Sequence, residues 1–171
     1  MGARGGDIET VGLGIPYEGW LPGRRLRTIG RTVTEADITG FINATGMLEV
    51  LFTDSEYLAA SGMFARRPAP GIMVQAFAES LLLQYTLQHT GLAFLGGETI
   101  VKGPCFAGDT IHVVSQVVSA RRTSKPGRGI VVTRNEVVNQ HGRVVLEYTA
   151  TRMVKASDTK EEEGNDGRGN A

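Results

Sequence analysis

Cysteine is nearly absent from this chain: Cys105 stands alone among 171 residues. That excludes an internal disulfide framework and any zinc site built on several thiolates. Histidine is scarce too, and His89, His112 and His141 are scattered without metal-ligand spacing. No charge dominates. Lys and Arg together number 18, as do Asp and Glu, so net charge argues for neither a nucleic-acid partner nor an anionic membrane. No apolar run reaches the roughly 18 residues of a membrane span, because Gln75, Glu79 and Gln84 interrupt the best candidate. The first ten residues, MGARGGDIET, contain no apolar stretch of signal-peptide type, and Gly2 lacks the Ser or Thr that myristoylation needs. The reading is a soluble, cytoplasmic protein.

What is present is the composition of one globular domain, with 41% hydrophobic and 21% charged residues. The neutral total hides an asymmetry. Asp158, Glu161, Glu162, Glu163 and Asp166 crowd the last fifteen residues, leaving residues 1–156 with 16 bases against 13 acids. We expect a flexible lead-in over 1–14, one domain over 15–155 and a disordered acidic tail over 156–171. Gly12-Leu13-Gly14 is no phosphate loop, since Tyr17 stands where G-x-G-x-x-G needs its third glycine.

Periodicity divides the domain. Arg24 to Val33 reads as a strand. Thr34-Glu35-Ala36-Asp37 has the form of a capping box and opens a short helix stopped near Gly46. Asp54 to Ala60 can add a turn or two. After the break Pro68-Ala69-Pro70-Gly71, a long helix runs to about Thr90, with Gly91 as its stop. Its apolar residues fall on nearly all sides, so other structure must enclose it. The period then becomes two: Thr99–Phe106, Thr110–Arg122, Ile130–Val138 and Val144–Val154 read as strands separated by turn chemistry. The fold class is α+β, an antiparallel sheet wrapped around one long buried helix.

From about Ile15 to Val154 the chain resembles the MaoC-like dehydratases and (R)-specific enoyl-CoA hydratases of the hot-dog fold. Three stretches carry the likeness: Arg31 to Ile38 followed by Phe41 and Thr45-Gly46; Pro70-Gly71-Ile72-Met73; and Lys102-Gly103-Pro104-Cys105-Phe106-Ala107-Gly108-Asp109-Thr110, similar to P-V-x-x-G-D-T. The resemblance implies acyl thioesters of coenzyme A or acyl carrier protein as ligands, no cofactor, and a homodimer or higher hot-dog oligomer. It implies reversible addition of water to a 2-enoyl thioester. A carboxylate and an imidazole move the protons of one water, while the amides at the start of the central helix polarise the thioester carbonyl.

The dyad is replaced. The family signature G-D-x-N-P-x-H-x-D falls on Gly46-Met47-Leu48-Glu49-Val50-Leu51-Phe52-Thr53-Asp54. Met47 and Phe52 stand at the catalytic Asp and His positions, and neither exchanges protons. The related β-hydroxyacyl-ACP dehydratase arrangement is missing as well: no His lies between Met47 and Gly71, and its acid position is Ala76.

Glu49 is the candidate substitute carboxylate, or else a solvated loop acid. Gly71 is the candidate oxyanion donor, or else a bend after Pro70. Met47, Phe52 and Ile72 would line an acyl pocket. Asp54 belongs to the same segment, as a substrate-side residue or a helix cap. Arg66 and Arg67, or Arg121, Arg122, Lys125 and Arg128, could meet coenzyme A phosphates. Glu79, on the buried helix, needs a partner or a raised pKa. Cys105 reads as packing. Three functions stay open: an acyl-thioester hydro-lyase with Glu49 or another group in place of the dyad; a non-catalytic thioester-binding or partner subunit; and a thioesterase in which Glu79 or Glu49 directs water at the carbonyl.

Overall fold

The computed structural model describes residues 10–157; the first nine residues of the expected lead-in and nearly all of the expected acidic tail lie outside them. The elements run β1 (Arg25–Arg27), β2 (Arg31–Thr32), α1 (Glu35–Thr45), α2 (Val50–Thr53), α3 (Ser55–Ser61), α4 (Gly71–Leu82), β3 (Gly91–Gly96), β4 (Thr99–Val101), β5 (Thr110–Arg122), β6 (Arg128–Val138) and β7 (Val144–Lys155).

The seven strands among the described residues make one antiparallel sheet in the order β1-β5-β6-β7-β3, with β2 on β5 and β4 on β7. Alternation fixes which face is inward. Ile111, Val113, Ser115 and Val117 of β5 are buried while His112 and Val114 are only half-buried. Helix α4 lies on the inward face, its Met73, Val74, Ala78, Leu81 and Leu82 joining Val113, Val137, Leu146, Tyr148 and Ala150 in the main core. Ile38 and Ile42 of α1 close that core at one end. A smaller cluster of Trp20, Leu87, Val117, Val131 and Val154 closes the other. This is the sheet around a central helix that the resemblance implies.

Local signals position the helices. The Thr34 hydroxyl accepts from the Asp37 amide at 3.1 Å, and the Asp37 carboxylate accepts from the Thr34 amide at 2.8 Å. Both bonds of the capping box are therefore made. Gly46 ends α1 in the left-handed region at φ 68°.

Four expectations need correction. The strand over Arg24–Val33 is two short strands, because at Thr28 the side chain takes over the pairing and accepts from the Val113 amide at 2.9 Å. The strand over Thr99–Phe106 stops at Val101, and Phe106 returns only as a single bridge to Pro68; Pro104, between them, has no N–H to give a ladder. The α-helix ends at Leu82 and continues as a π-helical turn over Leu83–Leu87, after which Gly91 begins β3 instead of ending a helix. Finally, α4 is not enclosed on all sides by the described residues: Ile72, Ala76 and Ser80 on it, and Leu83 just after it, form an exposed stripe.

Candidate functional site

Pro68, Ala69 and Pro70 are all buried, and they deliver the chain to the start of α4 at a fixed angle. Ala69 is held by its amide bond to the Cys105 carbonyl at 2.7 Å. The first intrahelical bond runs from Val74 to Pro70, so the amides of Gly71, Ile72 and Met73 have no partner among the described residues. Beside the first of them, at Gly71, lies a cavity of about 350 Å³. Gly71, Val74, Phe52, Phe64, Val101 and Leu146 line it, together with the turn Lys102-Gly103-Pro104-Cys105. A methyl group added at Gly71 would come within 3.0 Å of Val101 Cγ2, so glycine lets the helix start and β4 approach each other.

The cavity is apolar, and its titratable groups are Lys102 and Cys105. Burial first, and then the nearby Asp109 charge, push the Cys105 thiol up to about 12, which leaves it protonated and inert near neutrality. The arrangement can hold an apolar acyl group with a carbonyl oxygen on unspent helix-start amides. Among the described residues, no carboxylate and no imidazole lines it.

The segment expected to carry the chemistry spreads around this cavity. Phe52 lines it and packs on the main core. Met47 is half-buried where the chain leaves α1, outside the cavity lining, its amide bonded to Ile42 at 3.2 Å. Glu49 is exposed at the N-cap of α2, again outside the lining. Ile72 points away, on the exposed stripe. Asp54 caps α3, accepting from the Glu56 and Tyr57 amides at 2.9 Å each, and it borders a neighbouring hollow with Phe52 and Arg66. Arg67 is engaged within the chain: it pairs with Glu35 and donates to Thr39 Oγ1 at 2.9 Å. Arg66 lies over the Phe106 ring at 4.8 Å and donates to the Ala107 carbonyl at 2.8 Å.

Glu79 has its partner. Its carboxylate pairs with Arg152, whose side chain is only 5% exposed and which also donates to Thr133 Oγ1 at 2.8 Å. The Tyr148 hydroxyl faces the same carboxylate without closing a hydrogen bond of ordinary geometry. Burial and the Glu79 charge hold that phenol far above its usual range. Glu79 and Arg152 do border a hollow of about 260 Å³, together with Leu87, Leu92 and Phe94.

Sequence reasoning missed Val101, Phe64 and Val74 as cavity walls. The Lys102–Thr110 turn, which it did single out, supplies part of the lining, and that turn was the signal available.

Against this geometry the relatives can be set. Residues 21–148 match the family model described as "FAS1-like, dehydratase domain region". The chain belongs to this dehydratase family. Over 130 residues it is 26% identical to beta-methylmalyl-CoA dehydratase of Chloroflexus aurantiacus, 75% of this chain against 36% of that one. Over 56 residues it is 38% identical to mesaconyl-CoA hydratase of Cereibacter sphaeroides, 33% of this chain against 16% of that one. The chain thus spans about a third or less of the length of these two relatives. Among solved structures, the MaoC-like dehydratase from Rhodospirillum rubrum superposes with a TM-score of 0.73 at 27% identity, covering 84% of this chain and 98% of that one. The fold is the hot-dog fold. Among the described residues no helix is long and apolar enough to cross a membrane.

Proposed function

We propose that this chain is an acyl-thioester hydratase–dehydratase domain that seats its substrate's acyl group in the cavity at the start of α4. The observation that carries the reading is the conjunction of an apolar hollow with three unspent amides at Gly71, Ile72 and Met73, in a chain of a dehydratase family. In the hydration direction, hydroxyl adds to C3 and a proton to C2 of a 2-enoyl thioester, with no change of oxidation state overall. The amides stabilise the enolate oxygen that develops in between. Of the two carboxylates in the segment that replaces the family dyad, Asp54 is committed to capping α3; Glu49 stands exposed outside the cavity lining, and we assign it the proton transfer at the cavity mouth.

A second reading is favoured by one specific observation. Among the described residues, the cavity lining holds no carboxylate or imidazole, and a positioned acid–base group contributes about 10²- to 10⁴-fold. In this reading the chain binds the thioester and a partner hot-dog chain brings the acid and base. Either assembly, a homodimer in the first reading or a heterodimer in the second, has a natural seam. β3 is paired on one side only, by β7, and Leu92, Phe94 and Leu95 on it are exposed near Ile100 and Val101.

One experiment separates the readings. The purified chain, sized by light scattering, is given crotonyl-CoA, and loss of the enoyl absorbance is followed together with free thiol. Hydration that falls at least 100-fold in Glu49→Gln supports the first reading. Binding without hydration supports the second, and thiol release would replace both with a thioesterase. An unchanged rate in Glu49→Gln removes that residue from the mechanism.

A further inference from the structure

A second hollow, of about 410 Å³, adjoins the acyl cavity, and Leu51, Phe52 and Phe64 line both. These three side chains therefore stand between the two spaces. The polar groups on the second hollow are mostly engaged already. Asp54 caps α3, Arg67 is held by Glu35 and Thr39, Arg66 donates to the Ala107 carbonyl, and Thr53 Oγ1 donates to the Glu49 carbonyl at 3.2 Å. Ser55 aside, what remains for a ligand is apolar: the buried Leu58, Ala59 and the near sides of Leu51, Phe52 and Phe64. The partition itself is held from several directions. The Arg67 guanidinium donates to the Phe52 carbonyl at 3.4 Å while it binds Glu35 and Thr39, which ties the single turn of α2 to α1. The Phe52 ring packs against the main core. The Phe64 ring meets Phe106 edge-on, with 6.3 Å between centroids, and Arg66 lies over Phe106 in turn.

We infer that Phe52, with Phe64 beside it, sets the upper length of the acyl group this chain accepts. The inference rests on the acyl-thioester reading above and deepens it. An acyl chain that enters past Gly71 fills the first cavity and meets the aromatic wall. The second hollow, apolar where it is free, comes within reach only when that wall is cut back. Residue type explains why this position can serve so. An imidazole here would present ring nitrogens that hold water and exchange protons, whereas the benzyl ring of Phe52 has no polar atom and is held in the core. A rigid apolar ring bounds a chain by contact, since close-packed side chains yield little to an added methylene. Phe52 is in this sense a specificity-determining residue, and the substrates it selects are short- and medium-chain thioesters.

The test is titration calorimetry of butyryl-, octanoyl- and tetradecanoyl-CoA with wild-type protein, Phe52→Ala, Phe52→Leu and the double variant Phe52→Ala/Ala59→Phe. A freely buried chain gains about fourfold in affinity per methylene. Wild type is expected to gain from butyryl to octanoyl and then stop, with tetradecanoyl within about threefold of octanoyl. Phe52→Ala should extend the gain, so that tetradecanoyl binds about tenfold more tightly than octanoyl or better. Phe52→Leu, which keeps more of the packing, should extend it in part. Ala59 lines the second hollow and not the first, so Ala59→Phe should cancel the extension, a reversal that a merely loosened fold would not show. A wild type that goes on gaining through tetradecanoyl, or a length limit unchanged in the Phe52 variants, would overturn the partition and leave the acyl-thioester reading standing. An extension that survives Ala59→Phe would overturn the second hollow as the seat of the added chain. Binding of none of the three thioesters would overturn both the partition and the acyl-thioester reading.

Discussion

The two halves of α4 treat polar groups in opposite ways. At its start, among the described residues, three amides are left open and the first of them, at Gly71, borders an apolar cavity lined by no carboxylate or imidazole. Two turns on, Glu79 pairs with the buried Arg152, which also donates to Thr133 Oγ1, and the Tyr148 hydroxyl lies beside the same carboxylate. Ser115, Asn135 and Tyr148 stand side by side across β5, β6 and β7, and four buried atoms there (Ser115 Oγ, Asn135 Oδ1, Tyr148 OH and Arg152 Nε) find no partner among the described residues. A buried charge is often taken as the mark of an active site. Here the charged end reads as architecture, because each ion has a fixed partner, while the end with neutral dipoles has the binding capacity. The distinction matters for the thioesterase alternative in its Glu79 form, which would have to break the Glu79–Arg152 pair to free that carboxylate.

The largest effect should therefore come from the charged end. Arg152→Met leaves Glu79 without its counter-ion and is expected to cost about 3–5 kcal/mol of stability, the usual penalty for orphaning one member of a buried pair. Urea denaturation followed by circular dichroism measures it. The double variant Glu79→Leu/Arg152→Met should recover most of that loss, since removing both charges also removes their desolvation. If Arg152→Met is as stable as wild type, the pair is not structural and Glu79 is available for chemistry after all.

The start of the helix should respond in the other currency. Gly71→Ala places a methyl group 3.0 Å from Val101 Cγ2, yet Val101 is exposed and its side chain can move. Alanine also favours helix by up to about 1 kcal/mol. Stability should stay within about 1 kcal/mol of wild type, while affinity for butyryl-CoA drops by roughly tenfold as the methyl group narrows the approach to the amides. A variant that loses stability but binds normally would mean that Gly71 serves packing alone.

The same contrast explains what could be read in advance. The capping box at Thr34 and Asp37, the helix start after Pro70 and the alternation of β5, β6 and β7 depend on neighbours within a few residues, and all three were legible. Other features depend on distant chain. Glu79 plainly needed a partner, but Arg152 lies 73 residues away and reaches it only through sheet register. The break in the first strand is set by the bond between Thr28 and Val113, and helix α2 is a single turn too short to carry a pattern. The exposed stripe from Ile72 to Leu83 reads as core by composition, because apolar residues left on a surface have the same local pattern as those of an interior. The cavity walls were hidden for a related reason. Val101, Phe64 and Val74 are ordinary apolar residues, and only the meeting of β4, the loop before Pro68 and α4 turns them into a pocket.

A third treatment of a titratable group sharpens the comparison further. His112 on β5 is half-buried beside Arg27, and burial, seconded by that positive charge, lowers its pKa below the usual 6.5. The folded chain thus disfavours the charged form of this imidazole, whereas it gives the Glu79 carboxylate a partner in Arg152. The sign follows from proton uptake. Between the folded and unfolded pKa values the unfolded chain binds the extra proton, so stability falls as pH drops through 6.5 and levels off below the folded value. Asp37 and Glu18, whose pKa values are lowered from 3.8 and 4.5, act only in more acidic solution and leave the window from pH 5.5 to 7.5 clear of their titration. The urea midpoint of wild type should accordingly decline from pH 7.5 to 5.5 by a small amount that His112→Gln removes. An identical decline in the variant would remove His112 as its source and take away this example of burial tolerated by neutrality.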